Sequence, residues 1–155
     1  MDPLGSGSEN TFLSAPHLER LFPALRTSFY GVTSAQTTDY NCIAWAAGDN
    51  SKWWWPGRYS YWPASVANEE TLTAFAQAYA TLGYENCVDE SLEPGFEKVA
   101  IFTLNGVPTH AALQLKSGMW TSKLGDGEDI AHTLAGVSGK VYGKVAAIVK
   151  RPRSK

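Results

Sequence analysis

The stretch "DYNCIAWAAGD", residues 39–49, places Cys42 beside polar residues at the start of a short apolar run that stops at Gly48. A cysteine there can be a small buried hydrophobe, half of a disulfide, or a thiolate that attacks something. Thr38 or Asp39 is expected to cap a helix that Gly48 ends, which puts Cys42 in its first turn. The positive end of a helix favours the thiolate, and the thiolate is the nucleophile. It needs a base. His110, in "PTHAALQL", opens a strand in the part of the fold that must pack on the Cys42 helix. An imidazole there can take the thiol proton and later protonate a leaving group. His132 and His17 are rival bases on helical or loop segments. Cys87 follows a helix with no base nearby and reads as an inert thiol.

The elements that must position these groups fall into two halves. "PHLERLFPALRTSFY" has helical spacing but carries Pro23, which should split it into two short pieces. "GVTSAQTTDYN" is a loop delivering the chain into the Cys42 helix. "KWWWPGRYSYWP", residues 52–63, holds four tryptophans and two tyrosines, and its prolines and Gly57 forbid a simple helix or central strand. An ordered aromatic loop is expected, either packing the core or lining a groove with Trp53, Trp54, Trp55 and Trp62. "NEETLTAFAQAYATLGY" is the clearest helix, with Asn68 as cap, Leu72, Phe75, Tyr79 and Leu82 on one face, and Gly83 at the end. Beyond Cys87 the period changes. "EKVAIFTL", "THAALQL", "MWTSKLG" and "VYGKVAAIVKRP" are strand-like, with hairpin signals at "LNGV" and "KSGM" and room for a helical turn in "DGEDIAHTLAGVSG". Helices first and then an antiparallel sheet is the α+β arrangement.

The "KSG" hairpin leaves two registers open. A two-residue loop puts Thr121 and Lys123 on the His110 face; a three-residue loop with Gly118 as a bulge puts Ser122 there instead. A residue on that face could fix the histidine tautomer. Ser122 is the first candidate and Asp126, just past the strand, the second. "SKLGDGEDI", with Lys123, is either a solvated turn or a polar rim of a cleft.

A cysteine opening a helix with a tryptophan three residues on, "CIAW", followed by a histidine entering an antiparallel sheet, resembles the papain-like cysteine hydrolases, including the compact bacterial NlpC/P60-type amidases. "DYNCIAWA", "THAALQL", "WTSKLGDGEDIAH" and the closing "YGKV" and "VKRP" are similar to a family of small bacterial papain-like domains, over residues 16–152. The resemblance implies a papain-like fold, Cys42 as nucleophile and His110 as base. Gln36 falls where papain-like proteases keep a glutamine that helps hold the oxyanion, with Asn41 or Tyr40 as other sources of that contact. "TTDYN" departs from papain in lacking its glycine and second cysteine.

Composition narrows the function classes. Thirteen basic against 15 acidic residues, a net charge of −2, give no electrostatic case for nucleic acid or a membrane surface. Cys42, Cys87, His110 and His132 match no usual zinc spacing, so no metal or cofactor is expected. Residues 1–15 read as a flexible lead-in whose "GSGS" could be a cloning remnant, and residues 16–152 as a single domain. "MDPLGSGSEN" has no apolar export signal, so a cytoplasmic location is the default, with delivery by other machinery left open. Two functions follow as expectations. One is a cysteine-dependent hydrolase or acyltransferase of the peptidase, amidase or deamidase type, acting on a peptide, protein or cell-wall peptide. It could serve as a bacterial toxin or effector with a cognate inhibitor or immunity protein. The other is a non-catalytic papain-like binding or immunity-type domain that uses the tryptophan loop.

Overall fold

A computed structural model describes residues 15–124 and 127–154. Among them, helix α1 spans Pro16–Leu21, and Pro23 restarts the chain as a 3-10 turn over Pro23–Thr27. Strand β1 spans Tyr30–Ser34, α2 Cys42–Ala46, α3 Leu72–Ala80 and β2 Glu85–Cys87. Then come β3 (Phe96–Leu104), β4 (Val107–Gln114), β5 (Trp120–Lys123), β6 (Asp129–His132), α4 (Leu134–Val137) and β7 (Lys144–Pro152). The strands form an antiparallel sheet in the order β1-β6-β5-β4-β3-β7-β2. The fold is α+β. No described helix is long and apolar enough to cross a membrane.

Period-two alternation divides the core between the two faces of the sheet. On one face α2, α3 and the aromatic loop cover Val99, Ile101, Ala111 and Val149. On the other, α1, the 3-10 turn and α4 cover Ala100, Phe102, Ala112, Trp120 and Ile130. Phe75 and Tyr79 of α3 are fully buried, and each such side chain contributes about 2 kcal/mol. The Tyr79 hydroxyl donates to the Ile43 carbonyl at 2.9 Å, which locks α3 onto α2.

Several local expectations are corrected. Asn41 caps α2, because its Oδ1 accepts from Ala44 N, where Thr38 or Asp39 was expected. Thr71 caps α3; Asn68 instead ties its amide to Gly57 in the aromatic loop. Part of "GVTSAQTTDYN" is strand β1, pairing with β6, and Cys87 ends the edge strand β2. The "NGVP" hairpin turns at Asn105 and Gly106, both with positive φ, as a two-residue loop requires. Leu113 pairs with Thr121 and Gly118 has φ +93°, so the "KSG" hairpin has the three-residue register.

Candidate active site

Cys42 is the first residue of α2, buried at 6% exposure. β5 pairs with β4 only at Leu113 and Gln114, so the β4 edge from Val107 to Ala112 has no strand on that side, and α2 packs there. Burial pushes the Cys42 thiol up to about 11; the backbone N–H groups of Ala111, Ile43 and Cys42 itself, and the charge of Lys123, oppose that rise without overcoming it. The expected helix-start thiolate is therefore a neutral thiol at pH 7. A five-residue helix has little macrodipole, and desolvation wins.

Asn41 holds the segment before the thiol. Its Oδ1 also accepts from Trp54 N at 3.1 Å, and its Nδ2 donates to the Trp54 carbonyl at 2.9 Å. Both acceptor contacts of its Oδ1 and one of its two Nδ2–H groups are thereby committed to holding the helix start and Trp54. Gln36 is an exposed loop residue and lies outside the cavity at Cys42. Tyr40 is likewise engaged: its hydroxyl donates to buried Asp129 at 2.6 Å, and its ring stacks on Trp45.

His110 is fully buried and pairs with Phe102, so its ring lies on the α1 and α4 face. It stacks on Tyr142 with centroids 3.8 Å apart and planes 8° from parallel. Neither ring nitrogen has a hydrogen-bond partner among the described residues. The expected Cys42–His110 hydrogen bond is absent. Alternation along β4 is the reason: Ala111, the next residue, faces α2, and its N–H reaches the sulfur. Burial, then the nearby His132, holds the His110 ring well below its usual range and thus neutral.

Ser122 shares the His110 face as the three-residue register requires, yet it pairs with His132 instead. His132 Nδ1–H donates to the Thr133 carbonyl at 2.7 Å, leaving Nε2 to accept from the Ser122 hydroxyl. Burial pulls His132 down to about 4, against the support of the Thr133 carbonyl. His17, exposed on α1, pairs with Glu128 at 2.9 Å. Asp126 lies outside the described residues. Lys123 is fully buried on the α2 face, over the Tyr40 ring at 5.5 Å, and is not part of the cavity wall. Both cysteines are free, and Cys87 Sγ donates to the Asp89 carbonyl. Among the described residues, no three His, Cys, Asp or Glu side chains converge as a metal-ligand set.

The cavity at Cys42 measures about 350 Å³ and is lined by Asn41, Cys42, Trp53, Trp55, Ser60, Thr109 and Tyr142. Of the four loop tryptophans, Trp53 and Trp55 line it, whereas Trp54 and Trp62 are core residues with indole N–H groups bound to Asp49 and the Ala67 carbonyl. Thr109, Ser60 and Tyr142 were missed in sequence. Thr109 could have been found: strand alternation sets it opposite His110, on the face that α2 covers. Tyr142 carried no such signal, because the Gly139–Gly143 bridge that holds its loop is a long-range feature.

One family model, described as "Domain of unknown function (DUF7689)", matches residues 31–150. The chain belongs to this family. The matched span covers β1 through most of β7, and so contains every residue that lines the Cys42 cavity. No curated protein and no solved structure matches the chain.

Proposed function

We propose that this DUF7689 domain is a papain-like thiol hydrolase or acyltransferase, with Cys42 as nucleophile and His110 as its base. The observation that carries the reading is His110. A fully buried imidazole with both nitrogens unpaired is costly and calls for an explanation, and it directly precedes Ala111, whose N–H contacts the Cys42 sulfur. The neutral ring is the form that accepts a proton. For a nitrogen to reach the thiol, the ring must leave its stack on Tyr142 and the start of β4 must shift, since the resting strand sets His110 on the face opposite α2. Cys42 Sγ then attacks an acyl carbonyl while its proton passes to His110. The sulfur–carbon bond forms, the leaving group departs with that proton, and water or an amine releases the acyl group. The N–H groups around the sulfur can serve the developing oxyanion.

Neutral thiol and unpaired histidine in the resting state favour a second reading, a binding domain that uses the tryptophan-lined cavity without turnover. The test is acylation of Cys42 by p-nitrophenyl acetate at pH 7 in a Cys87→Ala background, followed by p-nitrophenolate release and intact mass. General-base help typically contributes at least about 100-fold. His110→Ala should lose that much while keeping its fold. Equal rates with and without His110 would reject the catalytic reading in favour of the binding domain.

A further inference from the structure

The acyl-transfer reading leaves the substrate open, and the walls of the Cys42 cavity restrict it. The seven residues lining it include no lysine, arginine, aspartate or glutamate. Tyr142 keeps its proton, since burial raises its phenol far above the ordinary value. No side chain of the wall carries a charge to pair with a buried ionic group, and burying an unpaired charge costs several kcal/mol. Trp53, Trp55 and Tyr142 bring aromatic rings to the wall, and about 350 Å³ is at the small end of ligand pockets, enough for one side chain and its neighbouring carbonyl.

The polar groups of the wall are mostly engaged. Asn41 is bound to Trp54 and Ala44, Trp53 Nε1–H donates to the Thr38 carbonyl at 2.7 Å, and Thr109 Oγ1–H donates to the Tyr142 carbonyl. Trp55 Nε1–H and the Ser60 hydroxyl make no hydrogen bond among the described residues. The Tyr142 hydroxyl likewise makes none, and these three uncharged groups able to donate, beside an apolar wall and a thiol, match the carbonyl acceptors of an extended peptide.

We propose that the cavity takes a peptide whose residue at the acyl position carries an uncharged aromatic or branched apolar side chain. Trp55 and Ser60 hold the peptide carbonyls, and acidic or basic residues are excluded at that position. The inference rests on the acyl-transfer reading for its chemistry and on the wall residues for its selectivity.

The experiment compares the N-acetyl-phenylalanine, -leucine, -glutamate and -lysine p-nitrophenyl esters on the full chain in the Cys87→Ala background. Release of p-nitrophenolate and the mass of the acyl adduct at Cys42 are the readouts. In each acylation the carbon–sulfur bond forms, the ester carbon–oxygen bond breaks, and p-nitrophenolate leaves. The phenylalanine and leucine esters should acylate Cys42 at least about 10-fold faster than the charged pair, the range expected of hydrophobic discrimination. Trp55→Ala should erase the preference. Because Trp55 also packs edge-on against Phe75, Ser60→Asp serves as a second variant and should raise the lysine ester relative to the others. Glutamate or lysine esters acylating Cys42 as fast as phenylalanine would overturn the selectivity and leave the acyl-transfer reading standing. If no ester acylates Cys42, that reading fails, and binding decides the selectivity alone. Quenching of tryptophan fluorescence in Cys42→Ser should then saturate with N-acetyl-phenylalaninamide and not with N-acetyl-glutamate amide. Equal binding of the two would overturn it.

Discussion

At the scale of the residue, the competing demands on Cys42 decide its chemistry. Three backbone N–H groups and Lys123 favour the thiolate, desolvation disfavours it, and desolvation prevails. The rate of Cys42 modification by iodoacetamide should therefore climb with pH toward about 11 and show no plateau near neutrality, with Cys87→Ala as background. A plateau below the ~8.5 of a free thiol would mean that an ion pair exists in the resting state. Asn41 is the second residue to carry a local prediction. It caps α2 and clasps Trp54 from both sides, so Asn41→Ala removes a cap and leaves buried backbone groups of Trp54 unpaired. Urea unfolding should show a loss on the order of 2–3 kcal/mol. Asn41→Asp keeps the two acceptor contacts and should lose less than the alanine variant.

At the scale of the element, strand register and loop glycines place the side chains. Gly143 has φ +79°, and a Cβ there would stand 1.9 Å from the Thr103 carbonyl oxygen. Gly143→Ala must shift β3 against the start of β7, displacing Tyr142 from its stack on His110. Thermal unfolding should register a loss of about 3 kcal/mol or more, and the His110 ring proton resonances should move as the Tyr142 ring leaves. A variant with the wild-type melting temperature would show that the loop yields easily. The register of the β4–β5 hairpin was open in sequence between two loop lengths, and both were physically sound; Gly118 in the left-handed region settles the three-residue form. Strand segments 96–104 and 144–152 were legible, because β-branched and aromatic residues cluster between turn residues. β1, β2 and β6 were not, since each is short or polar and exists through its partner strand. The same limit governed the site. Cys42 at a helix start could be read locally, whereas which strand face met that helix, and hence that Thr109 rather than His110 lines the cavity, depended on packing two halves of the chain.

At the scale of the molecule, the face beneath α1 and α4 buries two neutral histidines, and this gives the whole fold a pH dependence. His132 is held at about 4 against an ordinary value of 6.5, and His110 lies well below 6.5. Below about pH 6.5 the unfolded chain takes up protons that the folded chain refuses, so stability falls as pH drops through this window and is flat above it. A displacement from 6.5 to about 4 corresponds to on the order of 3 kcal/mol for His132 once the pH is below its folded value. Asp49 acts in the same direction but over a lower window. Burial pushes its carboxyl up, Lys52, Ser51 and Trp54 hold it below its ordinary 3.8 on balance, and its contribution is lost only beneath that value. The two windows are separable in a melting-temperature series from pH 8 to 3. The wild-type chain should lose stability steadily between pH 6.5 and 4, where Asp49→Asn should leave the slope unchanged. His132→Gln should lower stability at pH 7, by removing the Ser122 and Thr133 contacts, and flatten the slope in that window. A wild-type melting temperature that stays level from pH 6.5 to 4 would show that both rings take up protons in the folded state, which requires water or an acceptor to reach nitrogens that the fold leaves unpaired at His110 and bound to Ser122 and Thr133 at His132.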